Sequence, residues 1–223
     1  LSMTTTSGGI TGAGTFTLTS TGDIALTEDF TTAGSTVITA DSDGNGAGEF
    51  SIGASKILST ENSALTLTAN DVTLSGLISS GTGETTLLIS DGGTIGLGGT
   101  AGNMTITDTE LGKITAGTLN IGNSSTGNIT VDGITAANSN NFATVNLTTA
   151  SASSVSFSNS NSTFNALTTN GGGASFGSGL TVTTDTGKLT LNSTSITSAG
   201  ALTLAGATGI DFGSGATFAA GGA

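Results

Sequence analysis

A short word, apolar then polar then apolar, recurs along this chain at a spacing that few folds can use. It is written Phe16-Thr17-Leu18, Ile24-Ala25-Leu26, Leu65-Thr66-Leu67, Val72-Thr73-Leu74, Leu119-Asn120-Ile121 and Ile129-Thr130-Val131, and again as Leu180-Thr181-Val182, Leu189-Thr190-Leu191 and Leu202-Thr203-Leu204. Alternation at period two is the strand signature, with the apolar side chains on one face, and no segment shows the 3.6 period of a helix. The words come in pairs, and a third apolar position often follows, as Phe30, Leu77, Ile134 and Ile196. One pair follows another after about 20 residues. Three short strands per repeat, two strong and one weak, predict an all-β parallel solenoid of about 20 residues per coil and about 10 to 11 coils. At a rung spacing of about 4.8 Å this is a rod about 50 Å long. An antiparallel sandwich also uses short strands at 8 to 12 residue spacing, but its two-residue turns should recur regularly, and Asp91-Gly92 and Asp132-Gly133 do not.

Composition agrees with stacked strands. Thr and Val suit a pleated surface, and the 37 glycines allow tight corners. Proline is absent, as expected where each strand pairs on both sides and a missing N–H would break a ladder. The same absences remove most chemistry. With no His and no Cys there is no Ser-His-Asp triad, thiol nucleophile, haem or iron-sulfur ligation, or His/Cys zinc site. Three basic side chains, Lys56, Lys113 and Lys188, stand against 15 acidic ones for a net charge of -12. That balance argues against a nucleic-acid partner and an anionic membrane surface. No apolar run reaches the roughly 18 residues of a membrane helix, so no membrane insertion is expected. The sequence opens at Leu1 and closes at Ala223 on ordinary repeat, so residues 1–223 read as one continuous solenoid segment of a longer repetitive chain.

The segments G-T-F-T-L-T-S-T-G-D-I-A-L-T (14–27), A-G-T-L-N-I-G-N-S-S-T-G-N-I-T-V-D-G-I-T-A (116–136) and G-A-L-T-L-A-G-A-T-G-I-D-F (200–212) resemble the repeats of filamentous haemagglutinin-like and autotransporter-type bacterial surface adhesins. The resemblance spans nearly the whole chain on a degenerate pattern. It implies a right-handed parallel β-helix, export as a cysteine-poor chain, and service at the cell surface as an adhesin stalk or filament. The family's secretion domain carries an Asn-Pro motif, which a proline-free chain lacks, so the resemblance leaves the export route open.

Three site readings follow from the residues. Asp41-Ser42-Asp43-Gly44-Asn45-Gly46-Ala47-Gly48-Glu49 matches the first half of a calcium loop, with oxygen donors Asp41, Asp43 and Asn45 at positions 1, 3 and 5, glycine at 6 and Glu49 at 9. Ile52 occupies position 12, where a bidentate Glu belongs, so the alternative is an acidic corner between coils and Ca²⁺ is the only cofactor to consider. Stacked acids such as Asp91, Asp108, Glu110 and Asp132 could in principle form a glycosidase or lyase pair. The chain has no Trp or Tyr to seat a sugar and no basic cluster, and corner carboxylates that give solubility are the stronger reading. Outward threonines such as Thr15, Thr17 and Thr19 raise an ice-binding face, which drifting coil lengths and Asn, Gly and Ala at the same positions oppose. Residues 133–184 carry no charge at all, and their Ser, Thr and Asn read as stacked corner ladders or as a contact face. The expectation is a non-enzymatic extracellular structural protein whose partners are neighbouring coils or identical subunits end to end, with host or environmental glycans as the alternative ligand of a carbohydrate- or surface-binding module.

Overall fold

Alternating words of three to five residues bury their apolar side chains only by stacking, and the chain does this throughout. The computed structural model describes residues 2–3 and 9–220. It is an all-β parallel solenoid of about 10 turns spaced about 22 residues apart, 51% strand and 4% helix. Three walls enclose the core. The first stacks Phe16–Thr19, Thr36–Thr39, Leu65–Ala69, Glu84–Ile89, Thr118–Ile121 and Thr144–Thr148, then 167–170 and 189–192 of two long bent strands, and finally Ile210–Phe212. The second holds Ile24–Leu26, Glu49–Ile52, Asp71–Leu74, Ile95–Gly98, Ile129–Asp132 and Ser154–Phe157, then 173–176 and 195–198 of the same bent strands. The third is split into Ile10–Gly12 through Ile114–Thr115 below and Ser162–Phe164 through Leu202–Gly206 above. Every pairing is parallel.

Inward positions fall where the words place them. Leu26, Leu67, Leu74, Ile106, Ile121, Val131, Leu147, Val182 and Leu191 are buried. Leu18 and Leu204 are only partly covered, because their strands pair with a single neighbour, 36–39 and 180–184 respectively. Leu77, the third apolar position of its repeat, is 48% exposed, and its neighbour Ile78 takes the core position. The coil closes one residue later than the third apolar position suggested. Phe157 and Phe176 stack on successive rungs with ring centroids 5.0 Å apart and planes 6° apart.

One interior column runs Leu18, Ile38, Leu67, Leu87, Ile121, Leu147, Thr169, Leu191, Phe212. Thr169 is its single polar member, and its hydroxyl is buried without a hydrogen-bond partner. An unmade bond of this kind costs about 1–3 kcal/mol. Thr169→Val keeps the shape and removes the orphan, so chemical denaturation should show a gain of about 1 kcal/mol. A loss of stability would mean that the hydroxyl has a partner in solution.

Among the described residues the longest step between rungs of the first wall follows Glu84–Ile89. After Glu84–Ile89 the chain forms Ile95–Gly98, turns through 99–103 and lays Met104–Ile106 back beside it in parallel, Ile95 opposite Met104. This fold-back makes the step from Thr85 to Leu119 34 residues long, against 20 from Leu65 to Thr85. The second wall therefore gains a rung, and the later strand occupies the lower position, next to Asp71–Leu74. The backbones at 95–96 and 101–102 meet so closely that Gly96 and Gly102 leave no room for a Cβ on either side. Two one-turn helices, Asp108–Leu111 and Ala136–Ser139, follow on successive coils. The first has a complete capping box, Thr107 with Glu110.

Candidate functional site

The acidic loop hangs between Thr36–Thr39 and Glu49–Ile52. Asp41 is almost fully buried and adopts φ +54°, a conformation that Asp tolerates better than most side chains. Its Oδ1 accepts the Asn45 amide at 3.1 Å; its Oδ2 accepts the Gly46 amide at 3.0 Å and the Ser90 hydroxyl. The Asp41 amide itself donates down to the Gly22 carbonyl. One carboxylate thus folds the loop and ties it to a coil two rungs above. Burial is the largest single influence on this group and pushes its pKa up, but the Ser90 hydroxyl and the Gly46 and Ala47 amides outweigh it and hold the carboxyl below its ordinary 3.8.

Of the remaining residues of the calcium reading, Asp43 and Asn45 stay in the loop beside Asp41, and Glu49 faces the next rung. Asp43 Oδ2 accepts the Asn45 side-chain amide at 2.9 Å, and Glu49 sits on its strand with Oε1 3.4 Å from the Thr73 hydroxyl. Among the described residues no three acidic side chains form a group able to hold a metal ion. Asp41 already accepts three protein donors. The expected outcome of adding millimolar Ca²⁺ is an unchanged melting temperature; a rise that Asp43→Ala abolishes would make the loop a calcium site by mass action on the folded state. Acid should act on it instead. Because the folded-state pKa of Asp41 lies below the unfolded value, the stability it contributes is present above about pH 4 and drains away as pH falls through the lowered pKa. Asp41→Asn should flatten the acid limb of a pH–melting curve, and an unaltered limb would show the carboxylate to be idle.

The four stacked acids each have a separate structural task. Asp91 Oδ1 accepts the Gly93 amide. Asp108 accepts the Thr135 amide and hydroxyl and the Asn138 side chain, pinning the second helix onto the first. Asp132 accepts the Ser160 amide and the Asn159 side chain. At the fold-back, Glu110 Oε1 accepts the Leu74 amide at 3.0 Å and Asp71 Oδ1 accepts the Thr105 amide at 2.8 Å, while Lys113 Nζ donates to the Leu74 carbonyl at 2.7 Å. Side chains here satisfy backbone groups that a regular ladder would have paired. Sequence reasoning missed this joint. Its legible trace was Thr107-Asp108-Thr109-Glu110, the pattern of a capping box, inside a chain with no other helix signal.

The outer side of the first wall forms a surface that stays in register from rung to rung. Its outward column aligns Thr17, Val37, Thr66, Thr86, Asn120, Asn146, Thr168 and Thr190 before reaching Asp211. A second column carries Thr19, Thr39, Thr68 and Leu88 below and Thr148, Asn170 and Asn192 above. Side-chain amides link the rungs: Asn146 Nδ2 donates to Asn120 Oδ1 at 2.7 Å, Asn192 Nδ2 to Asn170 Oδ1 at 3.0 Å, and Asn120 Nδ2 to Thr86 Oγ1 at 3.3 Å. Around the corner Ser175 donates to Ser156 at 2.7 Å. Neither column holds a charge below Asp211. The acids line the corners and the edge of the wall, as Glu84 does beside Thr86.

No family model, curated protein or solved structure matches the chain. Among the described residues no helix is long and apolar enough to cross a membrane.

Proposed function

We propose that this chain is a non-enzymatic structural protein of the bacterial cell exterior, a segment of an adhesin stalk or surface filament. The observation that carries the reading is the use made of its polar chemistry. Asp41, Asp71, Asp108, Glu110 and Asp132 are spent on backbone amides and neighbouring side chains that hold one coil to the next. A repeat built this way transmits position along an axis, since each coil contacts only its neighbours. Composition supports export, because a chain without cysteine has no thiol to pair or misoxidise outside the cell.

In this reading the partners are further coils, from the same polypeptide or from identical subunits end to end. Phe212 and Phe218 meet edge to face 4.8 Å apart and are 43% and 60% exposed, beside a cavity of about 270 Å³ lined by Ile196, Leu202 and Phe218. Immunogold labelling of intact cells that make the protein tests the proposal. Label outside the outer surface, displaced from it, is the expected result. Label that appears only after permeabilisation would overturn it.

A further inference from the structure

We propose that the outer face of the first wall, over the coils from Thr118 to Asn192, binds an uncharged extended polysaccharide. This goes beyond the stalk reading and does not depend on it, since a soluble chain would carry the same face.

Charge comes first. The molecule carries a net charge of -12, yet the columns led by Asn120, Asn146 and Thr168, and by Thr148, Asn170 and Asn192, hold no ionisable group. Residues 133–184 carry no charge, and at the upper end of the face Lys188 and Asp211 pair with each other at 2.6 Å, so the columns offer no counter-charge to an anionic or a cationic partner. A second copy of this chain is disfavoured only by long-range repulsion between two bodies that each carry a net charge of -12. An uncharged ligand is what remains.

Valence comes next. A side-chain amide has two donor hydrogens and two acceptor lone pairs. In the ladder Asn146 spends one hydrogen on Asn120, and Asn192 spends one on Asn170. Each of these amides keeps hydrogen-bonding capacity that is directed outward along with the threonine hydroxyls. Such groups recur at every rung, about 4.8 Å apart, close to the length of one sugar residue in an extended chain lying along the solenoid axis. Sugar hydroxyls are donors and acceptors of the same kind. The amide-to-amide bonds fix the side chains before any ligand arrives, so little rotamer freedom is left to lose on binding. Without aromatic platforms each contact is weak, and affinity comes from many rungs acting together. The asparagines also decide against ice, because Asn120, Asn146, Asn170 and Asn192 interrupt what would have to be a uniform threonine lattice.

Affinity electrophoresis through gels containing dextran, mannan or a soluble β-glucan tests this, with dextran sulfate as the charged comparator. Retardation by at least one neutral polymer, unchanged by salt and absent with dextran sulfate, is the expected result. The double variant Asn146→Ala, Asn170→Ala should weaken that retardation at least tenfold. Circular dichroism and melting of the variant confirm that it is folded, and Asp43→Ala, on the far acidic loop, should bind as the unaltered chain does. No retardation by any neutral polymer, or retardation that the double variant retains, would overturn the proposal. So would self-association in sedimentation that the same variant removes, which would assign the face to a second copy.

Discussion

Replacing Gly98 with valine should lower the stability of the chain by about 3 kcal/mol or more, through backbone strain and a clash that cannot relax. Gly98 ends the first strand of the fold-back with φ +87°. A Cβ there would press into the carbonyl oxygen of Asp132 on the next rung, and that oxygen already accepts the Gly99 amide at 2.8 Å. Backbone on one side and a ladder on the other leave nothing flexible to yield. A β-branched residue at positive φ adds its own penalty. Urea denaturation should show a lower midpoint with the slope retained. A stability within about 0.5 kcal/mol of the original chain would mean that residues 95–98 do not lie against Asp132.

Asn146→Pro should cost about 3 kcal/mol or more, a backbone effect with no cavity behind it. Asn146 points outward from the strand Thr144–Thr148, which is sandwiched between Thr118–Ile121 and residues 167–170. Proline removes a ladder hydrogen bond from a strand paired on both sides. Asn146→Ala separates the terms: it loses only the bond to Asn120 Oδ1 and should cost about 1 kcal/mol. Equal losses for the two variants, measured by thermal melting, would show that the strand is not held in an internal ladder.

How much of this architecture could be read beforehand depended on whether a signal was local or collective. The interior positions were legible because alternation is written within three residues, and a word such as Leu65-Thr66-Leu67 commits its own side chains to one face. Stacking was legible because a single such strand buries almost nothing, so the roughly regular step had to supply its partners. Leu77 marked the third strand but not its inward residue, because two apolar residues in succession, Leu77 and Ile78, carry no period; the closure of the coil chose between them. The fold-back was not legible for a related reason. Ile95-Gly96-Leu97 and Met104-Thr105-Ile106 are ordinary words, and only Gly96 packed against Gly102 decides that they pair with each other across nine residues. The acidic loop was legible in its order of oxygen donors, while the Ser90 hydroxyl that donates to Asp41 from 49 residues away was not, because one-dimensional spacing carries no long-range contact. The neutral face was visible as a run without charge. Its two-column order needed the register.

That register is the central claim, and pulsed electron spin resonance measures it directly. The chain has no cysteine of its own, so pairs of introduced cysteines carry labels without ambiguity. With one label at Thr66 and the second at Asn120, Asn146, Thr168 or Thr190 in turn, the column order places the second label two, three, four or five rungs away. The distances should therefore rise in steps of about 4.8 Å, from about 10 Å to about 24 Å. Sequence separations along the same series are uneven, so a sequence-driven coil or a sandwich would not reproduce the steps. A linear series supports the parallel solenoid with its single fold-back; distances that fail to grow with rung number would contradict it.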